Sequence, residues 1–497
     1  MSKRTDSPGL GSLGSGALTA GSFLLVSGIA AAIGVVIARE FGRSEATDGL
    51  LAAYGLFVVI VIASQAIRVA VLPQLARAQE EGRLAGELAG FAIALVLIAI
   101  PLVLVSELGS SLVARLLTGD GSGIAEDTAA EVLRWVVPAG VAHLFAALAA
   151  SGLAAIDDYR TAALAYTLGS ASGLALILAR VEPDGVIAVA WGSMLNGAVT
   201  LSVVVVGLAL HATRLRMPRG AVRPSGPPVR ARLGAFAVGA ALPLALQLLY
   251  VICLPFASRL GTGAATSFVY AYLAASSLVT VTAGSLGIVT SVPLSRAGVA
   301  TVQAARHVVA TSWLALVLVG AAAGVFALAG GVLVEAVLGE AYAGEIGADI
   351  GRVVVVLSLW MVAAVGVAVT FPLAFVAGRT RGLPWIALAA LALQVPLAWV
   401  GSKVLELDGL ALALAASTLL VLTALLVDLG ALAGTARRLG AAAAFVAGLS
   451  VVSFLPPALV LDALASAVVG VVIYVVLLAV VRPRSLRESW HYLRALS

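Results

Sequence analysis

Long apolar stretches alternate with short polar segments along almost the whole chain. Fourteen of these stretches are long enough to cross a bilayer as helices, since a spanning helix needs about 20 mostly apolar residues. With 61% hydrophobic and 11% charged residues, the chain has too little polar surface to cover a soluble globule. The pattern therefore predicts an all-α polytopic membrane protein. The predicted spans are 17–38, 49–72, 88–106, 132–155, 161–179, 186–210, 233–257, 264–290, 307–334, 352–377, 384–402, 408–429, 439–458 and 461–481.

The charges between the predicted spans indicate their orientation. If the N-terminus is cytoplasmic, 21 of the 30 Lys and Arg residues fall in inside segments, and 17 of the 25 Asp and Glu residues fall in outside loops. Basic residues resist translocation, so this split predicts a multi-pass protein of the bacterial cytoplasmic (inner) membrane with both termini in the cytoplasm. The net charge of +5 follows from those inside arginines. We therefore expect membrane lipids, and no nucleic acid, as partners.

Two segments about 220 residues apart share an order of landmarks. Residues 38–48 lead into span two, which ends at Pro73 and Arg77, and residues 258–266 lead into span eight, which ends at Pro293 and Arg296. Because six spans separate the two units, both enter the membrane in the same direction. This repeat predicts two parallel, pseudo-symmetric lobes around a central cavity. We expect an N-terminal lobe at 1–211, an exposed basic linker at 212–232 and a C-terminal lobe at 233–497.

Few polar groups within the predicted spans could carry chemistry. The sequence has no nucleotide-binding loop, metal-ligand spacing or catalytic triad, so we expect no enzyme, no cofactor and no metal site. Arg68 could snorkel to the headgroups or face a cavity and bind an anionic headgroup. His143 could accept a coupling proton or serve as a hydrogen-bonded structural residue. Uncharged groups that could line a cavity or join helices are Gln65, Gln247, Tyr250, Tyr270 and Gln394.

Several loose motifs occur in the order found in one transporter family. They are Arg39-x-Phe41-Gly42 with Asp48, the run Ile156–Arg160, Gly284, Gly287, Pro293 and Arg296 at the end of span eight, the Gly378–Arg381 hairpin, and Asp408–Ala411 at the start of span twelve. Together with the fourteen spans, they resemble the MurJ/MviN family of lipid II flippases, which belongs to the multidrug/oligosaccharidyl-lipid/polysaccharide exporter superfamily. The resemblance implies alternating access of a lipid-linked glycan precursor, with envelope-synthesis proteins as further partners. It also places Arg39 and Asp48 among the candidate substrate-binding residues.

The chain differs from that family at its cavity arginines. The family has arginines in spans one, two and eight, whereas spans 17–38 and 264–290 carry no charge here and Arg68 lies only near the span-two position. Three functions therefore remain open. The chain could be a flippase for a polyprenyl-diphosphate-linked envelope precursor, an ion-coupled multidrug exporter, or a transport-inactive scaffold. An exporter of cations should have a carboxylate well inside a span, and none of the predicted spans has one.

Overall fold

The computed structural model describes residues 10–119, 122–214, 226–280, 301–481 and 483–494, and no strand occurs among them. The chain divides into two compact units, Met1–Gln247 and Leu248–Ser497. The boundary falls within one helix, α8, whereas the sequence predicts a linker at 212–232; the predicted lobe limits remain predictions. The helices that begin in the first unit are α1 (Leu10–Phe41), α2 (Glu45–Glu80), α3 (Leu84–Leu108), α4 (Ser110–Thr118), α5 (Gly123–Ala155), α6 (Tyr159–Asp184), α7 (Ile187–Arg214) and α8 (Val229–Ser258).

The second unit continues the helical pattern. A 3-10 turn, Glu340–Tyr342, separates two of its long helices. The described helices that begin in this unit are α9 (Ala264–Val279), α10 (Thr301–Leu338), α11 (Glu345–Val376), α12 (Leu383–Val404), α13 (Glu406–Asp428), α14 (Leu432–Ala458), α15 (Ala463–Val481) and α16 (Arg484–Arg494).

Twelve described helices are long and apolar enough to span a membrane. They coincide with twelve of the fourteen predicted spans and confirm an all-α polytopic membrane protein. The first predicted span overlaps α1, and the eighth begins with α9, an apolar helix described as far as Val279. The rest of span eight, with its landmarks Gly284, Gly287, Pro293 and Arg296, lies outside the described residues.

Each unit is built around an enclosed helix. In the first unit α5 packs against α2, α3, α4, α6 and α7, and most of its side chains are buried. In the second unit α11 packs against α9, α10 and α13 and is similarly enclosed. Peripheral helices such as α3 and α15 instead expose leucine and valine side chains. This pattern suits a bilayer, where the outer surface of a helix bundle meets lipid tails.

Small residues let neighbouring helices approach closely, as expected where no hydrophobic force draws helices together in lipid. A Cβ atom on Gly173 of α6 would lie 2.7 Å from the carbonyl oxygen of Gly192 on α7. In the second unit, a Cβ on Gly330 of α10 would lie 2.8 Å from the Cα of Gly351 on α11. Since real Cβ atoms do not approach other atoms so closely, glycine is required for the observed packing of both helix pairs.

Polar side chains cap the N-termini of several of these helices. The Ser44 hydroxyl accepts a hydrogen bond from the backbone N–H of Thr47 at the start of α2. Asp158 caps α6 in the same way by accepting from the backbone N–H of Thr161. Such caps satisfy N–H groups that lack partners within the helix. They explain why these helices begin where they do after short interhelical turns.

The prediction that Arg232 belongs to an exposed linker is wrong. Arg232 lies in the first turn of α8 and is only 2% exposed. Its Nη2 donates to Oε2 of Glu87 on α3 at 2.9 Å, and its guanidinium carbon lies 4.8 Å from the centroid of the Phe91 ring. The helix starts at Val229, earlier than the predicted span at 233. Arg232 can be buried there because the carboxylate of Glu87 neutralises its charge.

Candidate functional site

Three helices of the first unit bring together an arginine, a histidine and a tyrosine, here called the Arg68 cluster. Arg68 lies on α2, His143 on α5 and Tyr166 on α6. The guanidinium carbon of Arg68 is 4.5 Å from the centroid of the Tyr166 ring. The imidazole of His143 stacks on the same tyrosine, with ring centroids 6.3 Å apart and planes at 19°. The Tyr166 ring is therefore the shared contact between the two ionisable side chains.

Aromatic side chains of α2 extend this cluster. The Phe57 ring meets His143 edge-to-face with centroids 6.0 Å apart, and Tyr54 packs against Phe57 at 5.1 Å. His143 is 5% exposed. Burial against rings on two neighbouring helices limits the orientations open to the imidazole, so the cluster has defined geometry.

Each member of the cluster carries a buried polar atom without a hydrogen-bond partner among the described residues. These atoms are Nε and Nη2 of Arg68, Nδ1 of His143 and the hydroxyl oxygen of Tyr166. The two arginine nitrogens together carry three N–H donors. Leaving a buried donor or acceptor unsatisfied costs about 1–3 kcal/mol, and more for a charged group. Such a concentration of unused hydrogen-bonding capacity is unusual for a structural core and suits a ligand site.

The chemistry of the cluster favours an anion. A guanidinium presents parallel N–H donors that match two oxygens of a phosphate or carboxylate. The tyrosine hydroxyl can donate a further hydrogen bond, and the imidazole can donate or accept according to its tautomer. These groups could therefore bind the oxygens of an anionic headgroup. Binding and proton transfer are the roles that this donor set can perform.

The other predicted site residues of the first unit lie elsewhere or lack a described side chain. Arg39 is exposed in the last turn of α1, and Asp48 is buried in the first turn of α2. Asp48 and Arg68 are 20 positions apart on one helix, which corresponds to roughly 30 Å along its axis. They cannot bind the same phosphate. Gln65 lies on α2, but its side chain is outside the described residues, and Gln247 is buried on α8.

The two predicted tyrosines of the second unit pack with other aromatic rings. Tyr250 of α8 stacks on Tyr272 of α9 with centroids 3.9 Å apart, and Tyr272 also contacts Trp360 of α11 at 4.9 Å. Tyr270, on the same helix as Tyr272, meets Tyr342 edge-to-face at 5.5 Å. These contacts join α8, α9 and α11, and joining helices is one of the two roles that the sequence leaves open for Tyr250 and Tyr270.

A polar contact also joins helices of the second unit. The Gln394 side-chain amide of α12 donates to the sulfur of Cys253 on α8 at 3.1 Å. Cys253 is fully buried. The contact supports the predicted helix-joining role of Gln394.

Sequence reasoning missed Tyr166, although it identified Arg68 and His143. The available signal was a single tyrosine in the otherwise small and apolar span 161–179. It also missed Glu87, which is 3% exposed near the start of α3. A carboxylate at the edge of a strongly apolar span could have indicated a buried basic partner, but not which one.

The fold is that of a known group of membrane transporters. No protein-family profile matches the chain, and no curated protein matches it either. Among solved structures, the chain is similar to the lipid II flippase MurJ in an inward closed conformation, with a TM-score of 0.71 at 13% identity over 94% of this chain and 99% of that one. An inward-facing MATE multidrug-resistance transporter of the MOP superfamily matches with a TM-score of 0.62 at 17% identity over 82% of this chain and 94% of that one.

A third similar structure is that of another MOP superfamily transporter. A MOP superfamily transporter from Pyrococcus furiosus matches with a TM-score of 0.57 at 17% identity, over 84% of this chain and 94% of that one, and its description suggests a different function from a binding pocket of reversed polarity. The chain therefore has the MOP-type fold that its sequence predicts, and the lipid II flippase MurJ is one of the proteins with a similar fold. Function within this fold depends on the residues of the site.

Proposed function

We propose that this protein is a flippase that moves a polyprenyl-diphosphate-linked envelope precursor across the bacterial cytoplasmic membrane by alternating access. The single observation that carries the proposal is the Arg68 guanidinium, whose buried Nε and Nη2 lack partners among the described residues. It lies on a helix of a fold shared with the lipid II flippase MurJ. A diphosphate supplies the acceptor oxygens that these donors need.

The physical problem that such a protein solves is the cost of moving a charged headgroup through hydrocarbon. An isolated anion in a medium of low dielectric is strongly unfavourable unless it is paired and hydrogen-bonded. Arg68 would offset this cost at the phosphates, while the polyprenyl tail stays among lipid chains. Placement of the Arg68 guanidinium against Tyr166 supports a binding role over snorkelling to the membrane surface.

The proposed mechanism also uses the other features that the sequence predicts. We expect both termini in the cytoplasm, two lobes that alternate their opening, and the headgroup entering from the cytoplasmic side. His143 contacts the same tyrosine as Arg68, so a proton on its imidazole would alter the charge next to the bound phosphate. This proximity supports His143 as a coupling site. Arg39, Asp48, Gln65, Gln247, Tyr250 and Tyr270 stay predicted substrate-binding residues of the translocation route.

A second candidate function is ion-coupled export of amphipathic or cationic compounds. The observation that favours it is the similarity to MATE multidrug transporters, which extends over 82% of this chain. The chemistry of the Arg68 cluster opposes a cationic substrate, because a buried guanidinium repels positive charge. The flippase is therefore the preferred function.

Transport in proteoliposomes tests the proposal. The purified protein is reconstituted with a fluorescent polyprenyl-diphosphate saccharide, and arrival of the label at the opposite leaflet is followed by accessibility to an external quencher. We expect transport by the natural chain and a loss of about tenfold or more in Arg68→Gln, since charged hydrogen bonds contribute about 1.5–3 kcal/mol.

Arg77→Gln is the matched control. Arg77 lies on the same helix and is exposed, so the substitution removes the same charge without changing the cluster. Full activity of Arg68→Gln, or an equal loss in Arg77→Gln, would contradict the proposed role of Arg68. Transport of an organic cation without transport of the diphosphate lipid would favour the exporter, and transport of neither would indicate a non-transporting scaffold.

A further inference from the structure

A cavity of about 450 Å³ in the second unit is separate from the Arg68 cluster and is unused by the proposed transport mechanism. It lies where α10 and α14 meet the C-terminal helix α16. Its walls combine apolar and charged side chains. A packed core does not need the charged side chains, and a cleft filled with solvent does not need the apolar ones. The cavity volume falls within the range of about 300–1,000 Å³ that is typical of pockets for small molecules.

The inner wall of the cavity is aromatic and aliphatic. The rings of Trp313 on α10 and Phe445 on α14 contact each other with centroids 5.9 Å apart, and both line the cavity. Trp313 is 2% exposed and belongs to the hydrophobic core shared by α10 and α14. Such a surface packs well against the glycerol and upper acyl region of a lipid.

The rim of the cavity is charged. Arg306 near the start of α10 and Arg438 on α14 both line it and are both exposed, while α16 contributes Glu488 and Ser489. Two guanidinium groups and one carboxylate give the rim a net charge of +1. Basic side chains therefore outnumber acidic ones among the residues that line the cavity. Ser489 is a buried part of the cavity wall.

The helix that completes the cavity has the character of an interfacial helix. Leu486 of α16 packs against the core formed by α10 and α14, whereas Arg484, Arg487 and Glu488 are exposed. Amphipathic helices of this kind lie at the boundary between headgroups and acyl chains. Basic residues at that boundary are attracted to anionic headgroups.

We propose that this cavity is a binding site for one anionic phospholipid, with the phosphate held between Arg306 and Arg438 and the chains directed along Trp313 and Phe445. The site would hold α16 against α10 and α14 in membranes that contain anionic lipid. The lipid is a bound component of the second unit, so the proposal does not depend on the substrate that the protein transports.

Lipid retention measured by native mass spectrometry tests the site. The full chain is purified and equilibrated with equal amounts of phosphatidylglycerol and phosphatidylethanolamine. We expect preferential retention of one phosphatidylglycerol, with affinity about tenfold lower in the double variant Arg306→Gln/Arg438→Gln. Arg437→Gln is the matched control, because Arg437 is the exposed neighbour of Arg438 on the same helix and is not part of the cavity wall.

A second variant tests the sign of the charge at the rim. Glu488→Gln removes the carboxylate that opposes a phosphate, so retention of phosphatidylglycerol should rise roughly two- to fivefold. Because this variant is expected to retain more lipid, a failure to fold could not be mistaken for the expected result. Equal loss in Arg437→Gln, equal retention of both lipids, or displacement of the lipid by inorganic phosphate would each overturn the proposal. The Arg68→Gln variant should retain the lipid normally, which separates this test from that of the flippase.

Discussion

Arg68 and Arg232 are two arginines of the same unit with guanidinium groups over aromatic rings, but they differ in their partners. Arg232 lies over Phe91 and donates to Glu87, so its charge is neutralised within the fold. Arg68 lies over Tyr166, and its buried Nε and Nη2 have no acceptor among the described residues. An aromatic platform therefore does not distinguish Arg232, a structural residue, from Arg68, the arginine that we propose binds a ligand. The acid that neutralises Arg232 does.

Among the variants that test this comparison, removal of the acid beside Arg232 should have the largest effect on the free energy of unfolding. Glu87→Gln leaves a buried guanidinium without its counter-charge, and we expect the free energy of unfolding to fall by about 3–5 kcal/mol. The measurement is thermal unfolding of the purified protein in detergent, together with the yield of monodisperse protein.

The double variant Glu87→Leu/Arg232→Met is the control. Replacing both members of a buried pair by apolar residues is often neutral or stabilising, so stability should return towards that of the natural chain. If Glu87→Gln alone unfolds at the natural temperature, the pair does not stabilise the fold and the contrast with Arg68 fails.

A smaller loss should follow from Gly90→Ala, which tests the close fit around Arg232. A Cβ on Gly90 of α3 would overlap the Arg232 guanidinium and force it to move. We expect a loss of about 1–3 kcal/mol, as is typical of overpacking in a well-packed core, measured by the same unfolding assay. Gly28→Ala on α1 is the control, because a Cβ there meets no atom within 4 Å; equal destabilisation by both would rule out the proposed clash.

The smallest expected change in stability comes from Arg68→Met, which is nevertheless expected to abolish transport. The substitution removes buried donors that have no described partner, so we expect the unfolding temperature to stay the same or rise, with a gain of about 1 kcal/mol at most. A loss comparable to that of Glu87→Gln would show that Arg68 is a structural residue like Arg232.

The membrane spans were predictable because a continuous run of apolar residues marks each of them in the sequence. Predicted span 408–429 coincides with α13 (Glu406–Asp428), since twenty consecutive apolar residues suffice to define a membrane helix. The short helix α4 (Ser110–Thr118) was not predicted, because it is amphipathic and lies in a loop between two spans. Polar first turns also lengthen helices beyond the apolar window, as in α5, which starts at Gly123 instead of 132.

The site was only partly predictable because its contacts join distant parts of the sequence. Arg68 and His143 stand out as ionisable groups in apolar spans, and both belong to the cluster. Tyr166 does not stand out, since only the fold places its ring between them. Glu87 and Arg232 are 145 positions apart, and no local pattern in the sequence reports such a pairing.

The close approach of Gly173 to Gly192 has a consequence for measuring motion. With backbone against backbone and no side chain between them, α6 and α7 have little room to slide, so a displacement of Tyr166 on α6 should carry α7 with it. Val206 on α7 is 57% exposed. A spin label attached there would report when the ring beneath Arg68 shifts, without altering any residue of the Arg68 cluster.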